Sequence, residues 1–139
     1  KGEFDQALVA RALPNVRRLD FRPHRKAVEY LSAADLLVLP NTALEKRSKN
    51  FTTPLKLFEY MASGVPIIAT RIPSFTPYLK DGTTALLCEP DDPGSLAEVV
   101  QKLLLDPELS KGIAANAKKE VTRYTWNRRA ETILFFLGS

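Results

Sequence analysis

The stretch PLKLFEYMASGVPIIAT, residues 54–70, decides the fold. Proline suits the first position of a helix, where its missing N–H has no partner to lose. Apolar side chains then recur at helical spacing until Gly64 breaks the pattern. The VPIIAT that follows is short and apolar throughout, as expected of a parallel strand buried on both faces. Runs of the same kind appear as DLLVLP at 35–40 and TALLCEP at 84–90. VRRLDF at 16–21 reads as a further short strand after the turn signal PN. Spacing predicts helices over about 3–12, 24–34, 54–63, 93–106, 107–124 and 125–138, with a proline-interrupted segment, IPSFTPYLKDG, at 72–82. Strands alternating with helices give an α/β architecture, a Rossmann-like parallel sheet of four short strands with helices on both faces. Because a helix precedes the first strand, the sheet is expected to be cut, and residues 1–139 to be one partial domain of a longer protein.

The bulk numbers agree with one globular domain: 139 residues, 45% hydrophobic and 26% charged. A single cysteine, Cys88, rules out an internal disulfide framework and points to a reducing, cytoplasmic setting. No apolar run approaches the roughly 20 residues that span a bilayer. The net charge of +4 is concentrated in two clusters, Arg11, Arg17, Arg18, Arg22, Arg25 and Lys26, then Lys46, Arg47 and Lys49, which suit an anionic partner. Nucleic acid is not expected, because no stacking aromatics interleave with the basic residues and no nucleic-acid motif is present.

Dinucleotide-binding, Walker-type, paired-histidine and nucleophile-elbow motifs are all absent. EPDDP at 89–93 places Asp92 before Pro93 and a periodic run, which reads as a helix N-cap rather than a metal site, and no metal is expected. His24, the sole histidine, reads as a surface residue at a helix start. The helix over 54–63 breaks local rules. At about 100° per residue Leu57, Met61, Phe58, Ala62 and Leu55 cover one arc, and Glu59 falls at its margin. Lys56 precedes Glu59 in the poorer order for an ion pair, and with Thr53 as N-cap it also sits at the positive end of the helix dipole. Both misplacements disappear if an anion binds the amides of Leu55 and Lys56, with Glu59 one turn on facing the group attached to that anion. A carboxylate holding a vicinal diol makes a nucleoside diphosphate a sensible ligand. The competing reading is a Thr-capped core helix carrying an incidental Lys56–Glu59 surface pair.

Three blocks taken in order, SAADLLVLPN at 32–41, FTTPLKLFEYMASGVPIIAT at 51–70 and DGTTALLCEPDDPGSLAEVVQKLLLD at 81–106, resemble the donor half of family 4 glycosyltransferases. The resemblance implies the C-terminal half of a GT-B enzyme, two Rossmann-like domains facing across a cleft. It implies a nucleoside-diphosphate sugar as donor substrate, no separate cofactor, and transfer with retention to an acceptor held chiefly by an absent N-terminal domain. It places the ribose hydroxyls on Glu59 and the diphosphate at Thr53, Pro54 and Leu55. Proline has no amide, so Leu55 and Lys56 supply those contacts. The base is expected near Arg22 and Pro23. Many members carry a sugar-contacting acid eight positions before the ribose glutamate, where this chain has Phe51, and an arginine and a lysine on the diphosphate from a segment ahead of this one. Catalytic residues are therefore not assigned, and residues 1–139 alone are expected to be inactive. The alternatives are a non-catalytic GT-B-like binding or scaffold module and a sugar-nucleotide 2-epimerase. In the last helix Trp126, Ala130, Ile133, Leu134 and Leu137 form an apolar stripe beside Arg128 and Arg129. It is read as packing against this or the missing domain, with peripheral contact to an anionic membrane face as the alternative.

Overall fold

The computed structural model describes residues 15–51 and 55–138. Three strands, β1 (Leu37–Leu39), β2 (Ile67–Thr70) and β3 (Leu86–Cys88), form one parallel sheet in the order β1-β2-β3. Leu37 stands opposite Ile67, and Ile68 opposite Leu86. The helices are α1 (His24–Ser32), α2 (Lys46–Phe51), α3 (Leu55–Ser63), α4 (Pro93–Leu105), α5 (Pro107–Glu120) and α6 (Trp126–Leu137), with a 3₁₀ turn at Val121–Arg123.

The two-residue side-chain period of a strand, applied to runs apolar throughout, builds a core on each face of the sheet. Leu39, Ile67, Ala69 and Leu87 point to one face, where Leu57 and Met61 of α3 cover them together with Ile72, Phe75 and Leu79. Val38, Ile68, Leu86 and Cys88 point to the other, under Leu96, Val99, Val100 and Leu103 of α4. Helix α5 serves both layers, lending Ala117 to the first and Ile113 to the second. Helix ends follow the expected chemistry. Asp92 caps α4 by accepting from the amides of Gly94 and Ser95 at 2.8 and 3.1 Å, with Pro93 next in line. Gly64 takes φ +77° just past the end of α3, a conformation other residues adopt only at a cost.

Three expectations are corrected. The strand expected at 16–21 does not form; residues 16–23 have no regular structure, and Val16, Leu19 and Phe21 stay exposed. Its arginines at 17 and 18 and Asp20 do not suit burial on both faces, unlike the three runs that did pair. A short helix, α2, occupies the basic cluster at Lys46 to Lys49, where none was expected. The stripe of α6 is not buried by this domain's described residues, one of the two packings expected for it: Trp126 is 76% exposed, and no residue of α6 is buried. The helix expected at 3–12 lies outside the described residues.

Arg71, at the carboxyl end of β2, bridges Asp81 and Glu89 and so ties the turn before β3 to the residue after it. Asp81 also accepts from the amide of Leu87 at 2.9 Å. Burial by itself would raise the Asp81 pKa, but the Arg71 hydrogen bond, the Leu87 and Gly82 amides and the Arg71 charge together hold it below the ordinary carboxylate value. A depressed folded pKa stabilises above the unfolded value near 3.8, and the contribution is lost as pH falls through the folded one. Asp81→Asn is expected to cost about 1 kcal/mol at neutral pH, a figure discounted because the pair is partly solvated. It should also flatten the acid side of the profile of melting temperature against pH. An unchanged acid limb in that profile would refute the assignment.

Candidate functional site

Ligands of parallel α/β sheets sit outside the carboxyl ends of the strands. There the chain leaves β1 into residues 40–45, β2 into Arg71 and β3 into Glu89. The loops after β1 and β3 are joined by Asp91, whose carboxylate accepts from the amide of Ala43 at 2.9 Å. Asp91 holds φ +60°, which aspartate tolerates better than most residues but still at some cost. Its pKa is lowered first by Thr42 and then by the Ala43 amide. The amide of Leu44 turns back onto Thr42 Oγ1 at 3.1 Å. A helix joining two parallel strands runs back against them, so the N-terminus of α3 points to this same edge.

Helix α3 is fixed from its inner side. Leu57 and Met61 are fully buried, and Phe58 meets the rings of Tyr78 and Tyr124 with centroids 5.3 and 5.5 Å away, in a triad closed by Tyr78 and Tyr124 at 5.4 Å. Tyr60 is half-buried, and its hydroxyl pKa is raised by that burial and then by Glu59. The buried stripe is therefore centred on Leu57 and Met61, flanked by Phe58 and Tyr60, and not on the arc read from the sequence. Leu55 is 68% exposed and Ala62 is exposed. At about 100° per residue Leu55, Ala62 and Glu59 share the outer face. Glu59 accordingly lies on that face and not at the margin of the core.

This outer face meets α1. His24, its first residue, brings Nε2 to 3.3 Å from Glu59 Oε1. The Glu59 carboxylate thus pairs with a residue 35 positions away, not with Lys56, its neighbour on the helix. Lys56 and Leu55 stand exposed in the first turn of α3, which contains no acidic residue. By position the amides of both lack a partner within the helix. Arg22 lines an open depression of about 570 Å³ with Pro23, Lys26, Glu29, Tyr30 and Ala33. On a helical wheel those α1 residues stand roughly opposite His24. Thr53 and Pro54 lie outside the described residues, and of Phe51 only the backbone, closing α2, is described.

The arrangement offers an exposed carboxylate, held at one oxygen, about one turn beyond a basic helix start. Local patterns show the helix start. They do not show the His24–Glu59 pair, which only the packing of α1 on α3 creates. The Asp91 tie left a weaker trace, since an Asp-Asp-Pro turn can hold a residue at positive φ.

The family model described as glycosyl transferases group 1 matches residues 1–106. A D-inositol 3-phosphate glycosyltransferase of Corynebacterium urealyticum is 30% identical over 119 residues, spanning 86% of this chain and 26% of that protein. The chain thus spans about a quarter of the length of that relative. Among solved structures, Anabaena HepE in complex with UDP superposes with a TM-score of 0.83 over 98% of this chain and 36% of that one, at 22% identity. Sucrose-phosphate synthase from Thermosynechococcus elongatus gives 0.80 over 98% and 34%, at 24% identity. Those two likenesses establish the fold, an α/β domain of the GT-B type. With the family model spanning most of its length, the chain belongs to the glycosyl transferases group 1 family.

Proposed function

We propose that residues 1–139 form the nucleotide-sugar-binding domain of a retaining glycosyltransferase, with the diphosphate at the N-terminus of α3 and the ribose hydroxyls on Glu59. The observation that carries the reading is Glu59 on the outer face of α3, its Oε1 held by His24, one turn beyond an acid-free first turn bearing Lys56. Thr53 and Pro54 precede that turn and belong to the same diphosphate site. Arg22 belongs to the base end, and Phe51 stands where an acid would touch the donor sugar. UDP is the first nucleotide to test, because HepE was solved with it.

In the reaction the bond between the anomeric carbon and the diphosphate oxygen breaks and its electron pair leaves with the nucleoside diphosphate, while an acceptor hydroxyl oxygen bonds to that carbon from the same face and gives its proton to the departing diphosphate. Charge developing on that oxygen is met by the helix dipole, the Leu55 and Lys56 amides and the Lys56 ammonium. These groups serve without a divalent ion, so UDP binding is expected to survive a chelator. The acceptor is held by a second domain, from the side facing the cleft, and the stripe of α6 packs against that domain or rests on an anionic membrane face. The site is intracellular in this reading.

Calorimetric titration of the complete protein with UDP tests the reading, and failure to bind overturns it. Lys56→Ala is expected to weaken UDP several-fold while leaving uridine unchanged, since its partner is phosphate. An equal loss for both ligands would contradict that role. Residues 1–139 alone are expected to transfer no sugar in an assay that is active with the complete protein.

A further inference from the structure

We propose that His24 is a positioning residue for ribose: it holds the Glu59 carboxylate in the orientation that accepts both hydroxyls, and thereby sets how strongly the domain prefers a ribonucleotide. The inference rests on the donor-site reading of Glu59. Its observation is independent of that reading, namely the imidazole Nε2 at 3.3 Å from Oε1 across two packed helices.

A glutamate on an outer helix face, 42% exposed at its side chain, is free to sample several rotamers and loses that freedom when a ligand orders it. A partner that orders it beforehand lowers the cost of binding. His24 is suited to this. It has only two side-chain torsions, and it begins α1 directly after Pro23, whose carbonyl accepts the amides of Lys26 and Ala27 at 2.9 and 3.1 Å. Lys26, on the far side of α1, is engaged by Glu29 at 2.7 Å. The acceptor count also closes. A carboxylate offers about four lone-pair sites; one takes the imidazole N–H, and the remainder exceed the two that a vicinal diol requires. The imidazole donates from Nε2 in the matching neutral tautomer and in the protonated form.

The test uses the complete protein, with UDP and 2′,3′-dideoxy-UDP as probes. His24→Phe keeps a ring and removes the donor, while His24→Gln restores an N–H near the position of Nε2. Folding should tolerate both, because the His24 side chain is 75% exposed. His24→Phe is expected to weaken UDP about fivefold, to leave dideoxy-UDP unchanged, and so to reduce the ribose preference, whereas His24→Gln recovers most of it. In a Glu59→Gln background His24→Phe should have little further effect. Equal weakening of both nucleotides, or no weakening of UDP, would overturn the proposal. If Glu59→Gln nevertheless abolishes ribose preference while His24→Phe changes nothing, the donor-site reading stands and the role of His24 alone falls. If Glu59→Gln also leaves the preference intact, both fall.

Discussion

Glu59→Gln is expected to weaken UDP binding to the complete protein about ten- to a hundredfold and to shift its melting temperature by no more than about 2 °C. The two halves of that expectation have separate causes. The side chain lies on the outer face of α3, and its partner among the described residues, His24, is 75% exposed. An exposed pair of this kind contributes on the order of 0 to 1 kcal/mol to folding. The ligand depends on the carboxylate far more. Hydrogen bonds to a charged group contribute roughly 1.5 to 3 kcal/mol, and the amide offers one acceptor oxygen and a donor where two hydroxyls need acceptors. Each 1.4 kcal/mol lost is about tenfold in affinity. Calorimetry alongside thermal melting separates the outcomes. Unchanged UDP affinity with a large fall in melting temperature would make Glu59 a structural residue and remove it from the donor site.

Phe75→Ala is expected to be the most destabilising of these substitutions, by about 3 to 5 kcal/mol. Phe75 is fully buried in the core layer under α3, within the irregular segment between β2 and β3. Its carbonyl accepts the amides of Tyr78 and Leu79 at 2.9 Å, so the ring is delivered into the core by a tight local turn. The residue before it, Ser74, donates its amide to the carbonyl of Lys49 at 3.1 Å and its hydroxyl to that of Ser48 at 3.2 Å. Removing the ring leaves a cavity under α3 and loosens the support of α2 as well. The fall in melting temperature should be on the order of 10 °C. A loss below about 1 kcal/mol would show that the segment can collapse into the space, and that the layer is less tightly packed than its burial indicates.

What was legible in the sequence is what short-range periodicity encodes. Three apolar runs became the three strands, and the caps at Asp92 and Gly64 fell where aspartate before proline and a glycine break place them. The class of the fold and the family followed from the order of those blocks. The misreadings each required knowledge of a neighbour. VRRLDF carries enough apolar residues to suggest a strand, but pairing needs an adjacent edge and two faces that can be buried, and its charges oppose the second condition. In α3 the wheel read from the sequence is rotated because its apolar arc leaves out Tyr60, which is half-buried. That single assignment moved Leu55 and Ala62 into the core and Glu59 to the margin. Glu59 draws attention in the sequence as an acid at the margin of the buried arc, whereas the structure places it on the outer, exposed face of α3. Its protein partner is not legible in the sequence, because sequence neighbours offer only Lys56 while the tertiary packing of α1 offers His24.

The central claim is that the nucleotide lies along α3, with phosphate at its first turn and ribose on Glu59. A crystal structure of the complete protein soaked with UDP measures this directly. The account predicts a phosphate oxygen within hydrogen-bond distance of the Leu55 and Lys56 amides, and the two ribose hydroxyls on the Glu59 carboxylate. UDP held with its phosphates away from the first turn of α3 and its ribose off Glu59, so that Glu59 touches only His24, would contradict it.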